Sequence, residues 1–238
     1  MKRVGVVVAL AAECRSLTRK RLRDGDCLPL PSGHLLALSG AGPAAASRAA
    51  TQLLDAGADA LLSWGCAAAL DPSLKSGDLV LPGQVIAAQG ERLETSVLWR
   101  THVATQLQGS VHSVVGDLAE SSSIVALSQD KLNLHKRSGA LALDMESAAM
   151  GRVAHTVRVP FLVVRAIADP ASMTLPASVV HALDAQGVVR IPKLLGSALR
   201  NPLDFIGLAR LGWHFHAAMQ TLERAHRLIG HALLPPRA

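Results

Sequence analysis

Apolar residues in this chain gather into short unbroken runs, separated by alanine-rich stretches with helical spacing. "VGVVVAL" (4–10) and "HLLALSGAG" (34–42) predict strands, the second ending in a glycine turn. "PAAASRAATQLLDAG" (43–57) predicts a helix with Pro43 at its start and Gly57 as its stop. "ADALLSWG" (58–65) and "LVLPGQVIAA" (79–88) predict further strands around the loop "LDPSLKSGD". "ALALD" leads into a predicted helix, "MESAAMGRVAHTV" (145–157), and "VPFLVVRAIAD" (159–169) is a strong strand opened by Pro160. Runs apolar at every position suit strands buried on both faces. The expected fold is therefore α/β: a three-layer sandwich with a mixed, mostly parallel central sheet flanked by helices.

The last fifty residues follow another pattern. Leu194, Leu195 and Leu199, then Phe205, Leu208 and Leu211, and later Leu222 recur at helical spacing, broken near Asn201 and Pro202. We divide the chain into an α/β domain over 1–189 and a basic amphipathic helical C-terminal extension over 190–238, packed on or next to it. From Gln186 onward there are seven bases and two acids, a charge of +5, so most of the net +6 belongs to this tail. Two expectations follow. The tail is a set of packing helices with a solvated basic face, or it touches an apolar ligand or an anionic membrane.

Composition narrows the function. Half of the 238 residues are apolar, with three Phe, three Trp and no Tyr. The core must be aliphatic, and base stacking on aromatic side chains is poorly served, so no nucleic-acid partner is expected. Cys14, Cys27 and Cys66 are odd in number and form no CxxC pair. That argues for a reducing, cytoplasmic compartment, with peripheral contact at the inner membrane open to the tail. "MKRVGVVVALAAEC" imitates a signal peptide, but charges follow its short apolar run at once, so it reads as a first strand. His214 and His216 lack a third ligand, and no metal is expected.

Ligands of such sheets bind beyond the carboxyl ends of strands. Glu13, the Gly40–Gly42 turn, "WGCAAAL", the start of the "DMESAAM" helix and Asp169 all fall at such ends. Asp144 is expected to cap its helix, and Glu146 to lie in the first turn, where the helix dipole favours an anion. Arg165, inside an aliphatic strand, needs a carboxylate or an anionic ligand as partner.

"VGVVVALAAE", "LSGAGPAAASRAATQLL", "LLSWGCAAALDPSLKSGDLVLPGQVI" and "ALDMESAAMGRVAHTVRVPFLVVRAIAD" resemble, in order, the blocks of the purine nucleoside phosphorylase and methylthioadenosine nucleosidase superfamily. The tail "RIPKLLGSALRNPLDFIGLARLGWHFHAAMQTLERAHRLIG" is similar to the extension of the hopanoid-associated phosphorylases. The first resemblance implies cleavage of a purine nucleoside at its N-glycosidic bond. The second implies release of adenine from a 5'-substituted adenosine such as adenosylhopane by phosphorolysis, in hopanoid side-chain synthesis. Inorganic phosphate is then the co-substrate, and no cofactor is implied. Two alternatives stand beside it: a hydrolytic methylthioadenosine/S-adenosylhomocysteine-type nucleosidase, and a non-catalytic nucleoside or lipid binder. A homodimer is implied by resemblance alone.

Residue by residue, the resemblance assigns Asp169 as the acid at purine N7, Glu13 as the group beside an attacking water, and Arg165 as the binder of the nucleophile. Glu146 would accept the ribose hydroxyls, with Met145 packed on the sugar. Gly40, Gly42, Gly65, Cys66 and Ala67 would line the sugar and nucleophile pocket with backbone N–H groups. Cys66 and Ala67 to Ala69 stand where many members carry Ser and glycines, and Ala168 where Ser is frequent. No Phe occupies the usual base-stacking position, leaving Ile124 or Val125 for that work.

Overall fold

A computed structural model describes residues 3–176, 178–179, 203–230, 233 and 235. Strands β1 (Val4–Val8), β2 (Cys27–Pro29), β3 (Leu35–Leu38), β4 (Ala60–Ala69), β5 (Leu79–Ile86), β6 (Arg92–Glu94), β7 (Ser113–Glu120), β8 (Ala142–Asp144) and β9 (Phe161–Asp169) form one sheet. Helices α1 (Ala11–Cys14), α2 (Pro43–Asp55), α3 (Val97–Leu107), α4 (Ser128–Ser138), α5 (Ser147–Thr156) and α6 (Leu203–Ile229) surround it.

The order β2-β3-β1-β4-β8-β7-β5-β6 is completed by β9, which pairs with both β4 and β5. β1 lies parallel to β3 and β4, β4 to β9, and β7 to β5 and β8. The β2/β3, β4/β8, β5/β6 and β5/β9 pairings are antiparallel. The expected mixed sheet is present, with one refinement: β4, β8, β7, β5 and β9 pair around a closed circuit.

Two apolar layers sandwich this sheet. On one side Trp99 and Val103 of α3 and Leu222 and Ile229 of α6 pack with Val6, Trp64 and Leu162. On the other, Ala50 and Leu53 of α2 and Met150 and Ala154 of α5 pack with Leu61, Val163 and Ile167. Each buried leucine or valine contributes about 1.5–3 kcal/mol by leaving water. The C-terminal half of α6 is thus part of the main core, with Ala218, Leu222, Ala225 and Ile229 all fully buried. Its Thr221 hydroxyl donates to Gly77 O (2.7 Å), and His214 Nδ1 meets Ser76 Oγ (2.6 Å), a structural role as expected. The 189/190 boundary, Pro202, and the leucines at 194, 195 and 199 lie outside the described residues. Among the described residues no helix is long and apolar enough to cross a membrane.

Three local outcomes position the site. First, β4 does not stop at Gly65. It runs to Ala69, because Ala68 and Ala69 pair antiparallel with Leu143 and Ala142. "WGCAAAL" is therefore strand interior, not the strand end expected from the sequence. Second, β9 carries one residue more than β4 near its end. Ala67 pairs with Ile167 but Ala68 with Asp169, so Ala168 forms a bulge. A bulge bends the strand and re-aims the residue beside it. Third, α5 begins at Ser147, leaving Glu146 as its N-cap (φ −120°, ψ −33°) and not in its first turn. β8 keeps the chain extended through Asp144, and the turn into the helix consumes the next two residues.

Candidate active site

β9 carries Arg165 and Asp169, and each organises a buried charged group. Arg165 is 2% exposed. Its Nε donates to Asp144 Oδ2 (2.6 Å), and its Nη2 donates to Ser63 Oγ (2.6 Å) and Ser147 Oγ (3.1 Å). The partner required by a buried guanidinium is thus a carboxylate of the protein. Asp144 also fulfils the capping expectation, since its Oδ1 accepts the Ser147 N–H (3.1 Å). The Ser147 hydroxyl reaches Asp144 Oδ2 as well (2.5 Å).

Glu13 stands across the Gly65 position from the guanidinium. It is 3% exposed, held in α1 just past the end of β1. Its Oε2 accepts the N–H groups of Ala9 (3.2 Å) and Leu10 (3.0 Å), and its Oε1 accepts that of Cys66 (2.7 Å). A relay fixes the helix beneath it: Trp64 Nε1 donates to Ser16 Oγ (3.0 Å), which donates to Glu13 O (2.6 Å). Gly65 is required here by space. A Cβ added to it would lie 2.6 Å from both Arg165 Nη1 and Glu13 Oε1.

Glu146 completes the cluster. As an N-cap it makes no side-chain capping bond to its own helix, so its carboxylate is free to reach outward. Oε1 accepts the Gly42 N–H (2.8 Å), joining the α5 start to the glycine turn before α2. Gly42 holds φ +95° as the α2 N-cap, a conformation that suits glycine. Gly40 (φ +78°) turns its α-carbon towards Asp24, whose Oδ2 would lie 3.1 Å from an added Cβ. The Gly42 and Cys66 N–H groups were expected to line the nucleophile pocket. They are instead taken by Glu146 and Glu13, because those carboxylates sit within hydrogen-bond reach. Ala67 is buried in the core, and Met145 is half-buried beside Glu146.

The electrostatics follow from burial. Burial pushes the Glu13 carboxyl above its usual range, against the pull of Arg165 and the three N–H groups. Glu146 is raised to about 7 by burial and then by the Asp144 charge, again opposed by Arg165 and the Gly42 N–H. Burial disfavours the Arg165 cation, but Asp144, Glu13 and Glu146 outweigh it and its pKa rises. The Cys66 thiol is pushed well up by burial and by Glu13, which leaves it neutral and unreactive.

Asp169 has a different setting. Its Oδ2 meets Lys131 Nζ at 2.6 Å, while its Oδ1 is buried and has no hydrogen-bond partner among the described residues. Burial raises its carboxyl, and Lys131 opposes that. Sequence reasoning missed Lys131, Ser63 and Ser147. Lys131 lies in "SQDKLNLHKRS", the polar segment that forms α4, where a lysine ordinarily faces solvent. Val125, one of the two expected base-stacking residues, packs beside Leu70, Ala119, Ala140 and Leu143, and Ile124 is half-buried in the same loop. Among the described residues, no group of three or more His, Cys, Asp or Glu could hold a metal ion.

Known proteins resemble this chain in sequence and in fold. The 5'-methylthioadenosine/S-adenosylhomocysteine nucleosidase of Tolumonas auensis is 27% identical over 210 residues, covering 74% of this chain and 90% of that one. The protein of that name from Pseudoalteromonas translucida is 26% identical over 173 residues, covering 64% of this chain and 74% of that one. In structure, the Neisseria meningitidis nucleosidase of that name, solved with methylthio-immucillin-A, superposes with a TM-score of 0.73 at 19% identity. The match covers 98% of this chain and all of that one. Futalosine hydrolase of Helicobacter pylori gives a TM-score of 0.67 at 18% identity, covering 95% and 97% of the two chains. These two structures establish the shared fold. The phosphorylase superfamily model matches residues 33–200, from just before β3 to just before α6. That span is most of the chain, and the chain is an enzyme that belongs to the phosphorylase superfamily.

Proposed function

We propose that this enzyme hydrolyses the N-glycosidic bond of a 5'-substituted adenosine and releases adenine. The observation that carries water, and not phosphate, as the nucleophile is the crowding of Asp144, Glu13 and Glu146 around the single guanidinium of Arg165. A phosphate dianion entering there would find Arg165 already neutralised by the Asp144 carboxylate, with Glu13 and Glu146 beside it adding negative charge whenever they ionise. Nε and Nη2 of Arg165 are already engaged by the protein, and the nearby N–H groups are taken. The hydrolytic names of the relatives support the same choice over the phosphorolysis implied by the tail.

The steps balance on these residues. Water beside Glu13 gives that carboxylate a proton while its oxygen bonds to C1' of the ribose. The electron pair of the C1'–N9 bond passes to the purine, and Asp169 delivers a proton from Oδ1 to N7. Glu146 accepts hydrogen bonds from the ribose hydroxyls with the lone pairs that Gly42 leaves open. Those bonds strengthen as the sugar gains oxocarbenium character. Met145 packs against the ring. Burial keeps Asp169 protonated more readily than a free carboxyl, as an acid near neutral pH requires.

For the 5' group the reading keeps two candidates, a thioether as in methylthioadenosine and a lipid-linked group as in adenosylhopane. A panel of 5'-substituted adenosines ranks them by kcat/KM. The homodimer and peripheral membrane contact belong to the same reading. Ile206 and Trp213 of α6, 65% and 67% exposed, support an apolar contact in the C-terminal region.

The test is Asp169→Asn, which keeps shape and removes the acid. Adenine release should fall by roughly 10²- to 10⁴-fold, the usual worth of general acid help. Turnover close to that of the unaltered enzyme would remove Asp169 from the mechanism.

A further inference from the structure

Lys131 is 0% exposed, the only fully buried ammonium among the described residues. Its three donors are all used. Nζ bonds Asp169 Oδ2 (2.6 Å), Met173 O (2.8 Å) and Pro170 O (3.2 Å). The two carbonyls come from the segment that directly follows β9. Lys131 therefore ties α4 to the end of β9 and fixes the carboxyl plane of Asp169. A burial this complete is costly for an ammonium unless its charge is used.

We propose that Lys131 is a positioning residue for the leaving-group acid: it holds Asp169 by Oδ2, leaves Oδ1 as the oxygen that meets the purine, and balances the carboxylate that remains once Oδ1 has given up its proton. This rests on the reading of Asp169 as the acid at N7. The step itself is unchanged. The Oδ1 proton goes to N7, the C1'–N9 pair goes to the base, and Lys131 keeps its own protons throughout. Its contribution is charge. A neighbouring cation makes a carboxylic acid a readier donor by favouring the ion left behind.

The surroundings make the pair self-contained. Among the described residues, Lys131 is the charged group that acts on Asp169, and Asp169 the one that acts on Lys131. Arg165, on the same strand, is committed to Asp144. Asp130 and Lys136 of α4 line an open surface groove and do not face the pair. Burial alone would push the Asp169 carboxyl up and the Lys131 ammonium down, and each holds the other back.

The experiment compares the full-length enzyme with Lys131→Gln and Asp169→Asn. Two substrates are used: an adenine nucleoside, and p-nitrophenyl riboside, whose leaving group departs without protonation. For K131Q on the nucleoside, the alkaline limb of kcat/KM should move up by ~1 pH unit or more, because Asp169 then holds its proton to higher pH. The plateau should fall by about tenfold or more, because the retained proton is given up less readily. The nitrophenyl substrate should be cleaved nearly as well as by the unaltered enzyme. An unmoved alkaline limb, or equal losses on both substrates, would overturn the proposal and leave Lys131 a packing residue. If D169N also fails to separate the two substrates, the acid reading itself is what has failed.

Should K131Q not fold, a measurement on the unaltered enzyme decides. The ¹³Cε resonance of Lys131, assigned by its loss in Lys131→Arg, should titrate in step with the alkaline limb, and that step should vanish in D169N. A resonance indifferent to that pH range would overturn the proposal.

Discussion

Two buried charged groups hang from the same strand, and they are built on opposite plans. At Arg165 one cation is paired with Asp144 and lies near Glu13 and Glu146, and Ser63, Ser147 and the N–H groups of Ala9, Leu10, Gly42 and Cys66 bind to members of the group. At Asp169 there is one acid and one cation, and one carboxylate oxygen is left without a partner. The first group is a dense network with an excess of acid. The second is a pair with an open valence. A dense hydrogen-bonded network fixes geometry, whereas an unpaired buried oxygen carries a cost that a ligand can relieve. The difference separates the two halves of the proposed reaction: water activation beside the acid cluster, and protonation of the base at the pair.

The strongest way to break this comparison is to remove the shared cation. Arg165→Met leaves Asp144 buried without its partner. We expect a loss of ~3–5 kcal/mol in stability, measured by urea unfolding of the unliganded protein. A loss under ~1 kcal/mol, typical of exposed pairs, would mean the network is solvated and not closed. Lys131→Gln, which opens the second group, should act mainly on the pH profile described above.

A gentler change sharpens the contrast. Glu146 keeps its proton to about 7 in the folded enzyme, against an ordinary value of 4.5. Between those two pH values the folded state binds more protons than the unfolded one. Stability from this group is therefore full below the ordinary value and is lost as pH rises through about 7. Thermal melts from acid to neutral pH should show the decline, and Glu146→Gln should flatten it. The same variant should lower kcat/KM about tenfold or more by weakening its hold on the ribose. A decline that persists in the variant would place its source elsewhere.

How much of this was written in the sequence depends on the kind of burial. β1, β3, β9, α2 and α5 were legible because strands covered on both faces are aliphatic throughout and alanine-rich helices carry plain start and stop signals. β7, "SVVGDLAE", was not, since it is half-buried and mixes polar with apolar residues. α4 was not, because its sequence is polar and its one fully buried side chain is a lysine. In the site, Glu13, Glu146, Arg165 and Asp169 stood out as acids or bases in apolar company. Asp144 is legible as a capping acceptor and does take the Ser147 N–H, although Glu146 is the N-cap itself, and its bond to Arg165 spans two elements that no local pattern links. Ser63 and Ser147 become visible only when β4 and α5 are brought together around the guanidinium. The extension of β4 past Gly65 was hidden for a similar reason, since it depends on pairing with β8 more than seventy residues away.

The central claim is that water, and not phosphate, attacks at the acid cluster. The most direct measurement incubates the enzyme with 5'-methylthioadenosine in buffer free of phosphate, then with phosphate added, and identifies the sugar product in each case. The expected result is full adenine release without phosphate, an unphosphorylated sugar in both buffers, and no acceleration by phosphate. Release that depends on phosphate, with a sugar 1-phosphate as the product, would contradict the account.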